Sequence, residues 1–89
     1  LDKDTIIVIN SDHGEAMGEH NQYFSHALFL YDESIRIPLI FRYSRLKTCV
    51  NKLTPQVSIT DITPTILDLL RIKIPSSMQG VSLKPIILG

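Results

Sequence analysis

Apolar residues fall along this chain in short runs separated by polar, Gly- and Pro-bearing stretches. The first run, Thr5-Ile6-Ile7-Val8-Ile9-Asn10, is β-branched and does not alternate with polar positions. That pattern predicts a strand buried on both faces, as in a parallel sheet covered by helices. Ser11-Asp12-His13-Gly14 then stops the run, which favours a strand over a helix and puts Asp12 and His13 just past its carboxyl end. In open α/β sheets that edge binds ligands. From Glu15 to Ser25 the chain is polar and carries Gly18, which predicts an irregular loop. Ala27 to Ser34 is expected to form a short helix with Leu28, Tyr31 and Ile35 inward. Pro38 marks entry to a second strand, Leu39-Ile40-Phe41-Arg42-Tyr43, and residues 44 to 55 are expected as a surface excursion.

The clearest helix signal follows an extended Gln56-Val57-Ser58. Asp61 is the expected N-cap, and Pro64 falls in the first turn, where its missing N–H costs little. Ile62, Ile66, Leu69 and Leu70 recur at i, i+4, i+7 and i+8, predicting one apolar stripe. The helix should end near Leu70 or Arg71, before the Pro75-Ser76-Ser77 turn. Val81 to Leu88, with Pro85 in its middle, fits either a strand or a short helix. No internal repeat or low-complexity segment is present.

Composition changes this picture little. The 89 residues are enough for one small domain, and 44% hydrophobic with 20% charged residues is ordinary globular composition. Nine basic residues balance nine acidic ones, leaving no electrostatic case for nucleic acid or an anionic membrane. The single cysteine, Cys49, excludes an internal disulfide and says nothing firm about compartment. Apolar runs such as Ile6 to Ile9 are too short to cross a bilayer, so no membrane segment is expected in this chain. A start at Leu1 and an apolar end at Ile86-Ile87-Leu88-Gly89 lead to the expectation of a piece cut from something larger.

Asp12 and His13 are the strongest chemical signal. A carboxylate and an imidazole, adjacent at a strand end, can both turn toward one hard or borderline cation, and Gly14 lets the backbone fold away without a Cβ clash. On the dipeptide alone, a turn-capping Asp beside an unrelated His is an equally good reading.

A longer comparison separates the two. The run Ser11-Asp12-His13-Gly14-Glu15-Ala16-Met17-Gly18-Glu19-His20, then His26, then Leu30-Tyr31-Asp32-Glu33-Ser34-Ile35-Arg36-Ile37-Pro38-Leu39-Ile40, closely resembles the sulfatases of the alkaline-phosphatase-like superfamily. Val57-Ser58-Ile59-Thr60-Asp61-Ile62-Thr63-Pro64-Thr65-Ile66-Leu67-Asp68-Leu69 looks like that family's V-S-x-x-D-[IL]-x-P-T-[IL]-L-D-L helix, and Met78-Gln79-Gly80-Val81-Ser82-Leu83 is similar to its M-Q-G-x-S-L segment. The blocks occur in the family's order over about residues 5 to 83.

The resemblance implies that Asp12 and His13 are metal ligands. It also implies a basic residue on the following loop, contacting the ester's charged group or its leaving oxygen. Many members carry Lys at the position of Ser25; others carry His one residue later, the arrangement of His26. A cation there would neutralise charge developing on the leaving oxygen, and an imidazolium could donate a proton to it. His20 is expected to be structural or on the surface. Glu15 and Glu19 are either carboxylates orienting His13 or His26 or, the favoured reading, a solvated loop face. Arg36 and Asp61 look architectural, and Cys49 has no context that would make it a nucleophile.

By the same resemblance, a pair of Asp residues completes the metal site, and a formylglycine made from Cys or Ser in a C/S-x-P-S-R segment is the nucleophile. Neither segment occurs here, so the isolated chain is expected to bind metal poorly and turn over nothing. Arg71 is a smaller departure, since relatives often carry Gly there, suited to a left-handed helix end.

The expectation is therefore an α/β fragment of an alkaline-phosphatase-like sandwich, a central mostly parallel sheet with covering helices. Residues 1–89 would form part of a catalytic domain, with a metal-ligand loop over 11–26 and a covering helix over about 61–71. Its implied work is hydrolysis of a small-molecule or glycan sulfate ester together with the rest of the domain, outside the cytoplasm: periplasmic, secreted or membrane-anchored. The implied cofactor is a divalent metal, Ca2+ first. Two rivals stay open. One is a phosphoethanolamine transferase or a phosphate or phosphonate ester hydrolase of the same superfamily, with Mn2+ or Zn2+. The other is a non-catalytic remnant of the fold.

Overall fold

In a computed structural model, which describes residues 3–25, 29–47 and 52–89, the first apolar run becomes strand β1 (Ile6–Asn10). It pairs antiparallel with β4 (Leu39–Tyr43), Ile6 opposite Tyr43 and Asn10 opposite Leu39. Both strands lie in the first of two compact units, Leu1–Tyr43 and Ser44–Gly89. The period-two alternation of strand side chains sets Ile6, Val8, Leu39, Phe41 and Tyr43 on a half-buried face. Ile9 and Ile40 face each other across the ladder on the opposite face and are 55% and 53% exposed. Burial on both faces is thus not reached among the described residues. The other elements of this unit, a short hairpin and one helical turn, are too small to cover a second face.

That hairpin occupies the stretch expected to be irregular. Strand β2 (Ala16–Met17) pairs antiparallel with β3 (Tyr23–Ser25) around a 3-10 turn at Glu19–Asn21. The register pairs Ala16 with Ser25 and Met17 with Tyr23, which leaves Phe24 as the extra residue of a bulge. Phe24 takes φ 49, and His20 and Asn21 take φ 52 and 58. Left-handed conformations at non-glycine residues are not advertised by local sequence, so the hairpin was not foreseen.

The helix expected over Ala27 to Ser34 is shorter and later, α1 (Asp32–Ile35). Tyr31 and Arg36 flank it in extended conformations, and the residue before Pro38 is pushed away from helix as well. Tyr31 and Ile35 are exposed rather than inward, and Leu28 lies outside the described residues.

In the second unit the best helix signal is realised as α2 (Ile62–Leu69), continuing a 3-10 turn at Ile59–Asp61. Asp61 stands at the N-cap position of α2 as expected but makes no side-chain capping bond there. The capping box belongs to the preceding 3-10 turn, with Ser58 as its N-cap and Asp61 accepting the Ser58 N–H through Oδ2 at 2.8 Å. The buried face holds Pro64, Thr65 and Leu69, with Ile62 and Ile66 half-buried, while Leu70 is exposed. The expected stripe is therefore rotated toward Thr65.

The reason is a row of polar residues spaced along one face of α2. Asp61 Oδ1 accepts the Val81 N–H at 2.9 Å, and Thr65 Oγ1 accepts the Leu83 N–H at 2.8 Å while donating to Asp61 O at 2.6 Å. Asp68 accepts Ser82 Oγ–H at 2.6 Å and the Lys84 ammonium at 2.7 Å. The tail is thereby fastened to α2 and runs into α3 (Lys84–Leu88), with Leu69, Leu83 and Ile87 as the buried apolar residues. Gly80 makes the approach possible, because a Cβ there would collide with the Thr60 carbonyl.

Helix α2 ends in a Schellman motif. Ile72 N–H reaches Leu67 O at 2.8 Å and Arg71 N–H reaches Asp68 O at 3.0 Å, with Arg71 itself left-handed at φ 58. The arginine occupies the conformation that glycine would occupy more easily. Among the described residues no helix is long and apolar enough to cross a membrane.

Candidate metal centre

Asp12 and His13 leave the carboxyl end of β1 in a tight turn held by its own polar groups. Ser11 Oγ donates to His13 O at 2.5 Å, and the His13 N–H donates to Asp12 Oδ1 at 3.0 Å. That backbone N–H, with the carboxylate's own backbone and then the His13 imidazole, holds the Asp12 carboxyl below the usual carboxylate range. The Asp12 side chain is 86% exposed, so its ionised form is also well solvated.

The His13 ring is oriented by the backbone. Nδ1 lies 2.7 Å from Gly14 O, and a carbonyl can only accept, so Nδ1 carries the proton. Nε2, the other ring nitrogen, lies 3.8 Å from Asp12 Oδ2. A cation bonded to both at about 2.3–2.6 Å would span that gap. An imidazole whose second ring N–H is tied to a backbone carbonyl is the usual form of a metal-ligating histidine. The donor set therefore fits a hard or borderline divalent cation. It is partial, since among the described residues no three His, Cys, Asp or Glu side chains come together as a metal site.

The loop is docked from behind on α1. The Gly14 N–H donates to Ser34 O at 2.8 Å, and a Cβ on Gly14 would run into the Glu33 carbonyl. Glu19 is exposed; its Oε2 accepts the Met17 N–H at 2.7 Å, and backbone hydrogen bonds, its own first, keep its carboxyl below the usual range. It tightens its own turn. His20 stacks on Tyr31, ring centroids 4.1 Å apart, with Nε2 3.7 Å from Glu33 Oε1. Sequence reasoning missed this cluster, because a stack between a turn and a helix entry leaves no periodic signal. His26 and Cys49 lie outside the described residues.

Comparisons with known proteins bear on the whole chain. The family model described as "N-sulphoglucosamine sulphohydrolase, C-terminal" matches residues 18–89. The N-acetylglucosamine-6-O-sulfatase of Bacteroides thetaiotaomicron is 39% identical over 83 residues, covering 93% of this chain and 14% of that protein. A crystal structure of a putative sulfatase from the same species superposes with a TM-score of 0.79 at 32% identity, covering 94% of this chain and 18% of the other. A further solved protein, in complex with its substrate D-glucosamine-2-N,6-O-disulfate, gives a TM-score of 0.71 at 38% identity over 94% of this chain and 17% of its own. The chain thus spans less than a fifth of each of these proteins.

Proposed function

We propose, from the premise that this chain belongs to the sulfatase family and forms a stretch of its C-terminal part, that it contributes two metal ligands to a sulfuric ester hydrolase. The observation that carries this reading is the pairing of an ionised Asp12 carboxylate with a His13 ring whose Nε2 is turned toward it. The match over residues 18–89 begins a few residues beyond that loop and supplies the chemical class.

Asp12 and His13 would hold a divalent cation, Ca2+ first. When bound, it would offset negative charge on the sulfate oxygens during attack at sulfur. The Ser11 hydroxyl and the Gly14 carbonyl hold the two ligands in place beforehand, so their orientation costs little when a cation arrives. His26 would contact the substrate or its leaving oxygen, and the formylglycine nucleophile and the remaining ligands would come from other segments of the catalytic domain. The substrate class that fits is a sulfated glycan, supported by a relative named as an N-acetylglucosamine-6-O-sulfatase and a neighbour held with a disulfated glucosamine.

The test is made in the full-length protein. Asp12→Ala and His13→Ala should each lower bound metal and hydrolysis of sulfated glucosamine by roughly 100-fold or more, the cost of removing a group that acts as a unit with the metal. Metal content and turnover that stay at wild-type levels in both variants would sink the assignment. His26→Ala should reduce turnover while metal content is retained.

A further inference from the structure

The sulfatase reading leaves His20 without a task, yet its surroundings are unusual. Its backbone is left-handed at φ 52, ψ 28, followed by Asn21 at φ 58, and non-glycine residues hold that conformation only where the surrounding structure imposes it. The ring lies on Tyr31, centroids 4.1 Å apart and planes 19° apart, and Phe29 also stacks on Tyr31 with centroids 5.5 Å apart. Tyr31 is the residue that opens α1, its carbonyl receiving the N–H groups of Ser34 and Ile35 at 2.9 and 3.2 Å. Nε2 of His20 points toward Glu33 Oε1, and the Glu33 side chain is only 16% exposed. That oxygen is buried and has no hydrogen-bond partner among the described residues. A buried carboxylate oxygen in this state is costly unless a donor or a cation is held near it.

Glu33 is also the residue whose carbonyl fills the space beside Gly14, and the next carbonyl, Ser34 O, accepts the Gly14 N–H. The backbone that backs the metal loop thus belongs to the residue whose side chain His20 contacts, Glu33, and to its neighbour Ser34. A four-residue helix has no intrinsic stability with which to hold that register by itself.

We infer that His20 is a positioning residue for the metal loop, clamping Tyr31 and Glu33 so that the Glu33–Ser34 backbone keeps Gly14, and through it Asp12 and His13, in ligand geometry. The inference rests on the sulfatase reading above, because it needs Asp12 and His13 to be ligands. Its function is preorganisation: the ligands are set before the cation arrives, and affinity falls when the clamp is lost although no ligand is removed.

The experiment uses the full-length protein with Ca2+ as the probe. His20→Ala should weaken Ca2+ binding by roughly 10- to 100-fold, the range for residues that orient a ligand. Turnover should be largely recovered at saturating Ca2+, unlike in Asp12→Ala. Glu33→Ala should do the same, and the double variant should be no worse than either single, since both break one clamp. Should His20→Ala fail to fold, Glu33→Gln, which keeps the shape and loses the charge, tests the same contact and should weaken Ca2+ in the same direction. Ca2+ affinity within twofold of wild type in the folded variant, or losses from His20 and Glu33 that simply add, would overturn the clamp. If Asp12→Ala still abolishes binding in that case, the metal reading survives and only the role of His20 falls. Wild-type protein that binds no Ca2+ overturns both.

Discussion

Gly14 and Arg71 are two residues at which the backbone makes opposite demands. At Gly14 a side chain has no room, because the first added carbon meets the Glu33 carbonyl, a backbone atom that cannot swing aside. Gly14→Ala should therefore push the metal loop off α1. The expected cost is about 1–3 kcal/mol of stability, the usual penalty for forcing an extra carbon into a packed site, together with weaker Ca2+ binding. Urea denaturation and calcium titration of the full-length variant would measure both; unchanged values would show that the loop is not held there. At Arg71 the space is open and the conformation is the difficulty: φ 58 ends α2 in a Schellman motif built for glycine. Arg71→Gly should stabilise the protein by about 1 kcal/mol, whereas Arg71→Ala, which keeps a Cβ in the same left-handed geometry, should give little of that gain. A thermal melt in which both variants behave alike would refute the argument. The sequence singled out both positions, Gly14 for its place after the expected ligand pair and Arg71 for standing where glycine is expected. It could not reveal the carbonyl that Gly14 touches, which belongs to Glu33 and arrives only when the chain has folded back.

At the scale of elements, α2 holds the tail by polar groups as much as by apolar packing. Thr65 is fully buried, and its hydroxyl is at once donor to Asp61 O and acceptor for the Leu83 N–H. Thr65→Val keeps the shape and leaves the Leu83 N–H without its acceptor, so it should cost about 1–3 kcal/mol and loosen α3, read as faster hydrogen exchange over residues 83–88. Asp68 gives the same junction a pH dependence. Hydrogen bonds from Lys84 and then Ser82 lower its carboxyl pKa in the folded chain. Stability from this group is therefore present above the unfolded carboxylate pKa and is lost as pH falls through the lower, folded value. Asp68→Asn should flatten the acid limb of a stability–pH curve, while wild type loses stability across it; superimposable curves would argue against the contribution. A 3.6-residue apolar period sufficed to find α2 in the sequence, β-branching sufficed for β1, and Pro38 ahead of an apolar run sufficed for β4. Asp61 stands at the head of α2 as expected, but the 3-10 turn before it, capped by Ser58, was not legible, because only the fold shows that the Asp61 carboxylate turns back to the Ser58 N–H. The polar pair Asp61 and Thr65 was hidden for a related reason: their partners in the tail are backbone N–H groups, which carry no residue identity.

For the molecule as a whole, the balance of covered and uncovered apolar surface sets what this stretch can do by itself. The buried hydrophobic residues among those described are Ala16, Leu69, Leu83 and Ile87, a small core even for a chain of this length. Against them stand Ile9 at 55% exposure, Ile40 at 53%, Phe24 at 77% and Leu30 at 85%. Exposed apolar groups concentrated in this way mark surfaces that other structure normally covers. The metal loop sits at the end of β1, which pairs with β4 and leaves Ile9 and Ile40 on one exposed face, so loosening of the strand pair would disorder the ligands too. The 89-residue stretch prepared alone should therefore bind the hydrophobic dye ANS and unfold over a broad range of urea. It should hold Ca2+ at least roughly 100-fold more weakly than the full-length protein, having neither the remaining ligands nor a rigid strand beneath its own two. Full-length protein in the same assays should exclude ANS and melt cooperatively. A sharp unfolding transition and strong Ca2+ binding by the isolated stretch would mean that its own packing suffices to set Asp12 and His13, and that the exposed isoleucine face has no part in holding the loop.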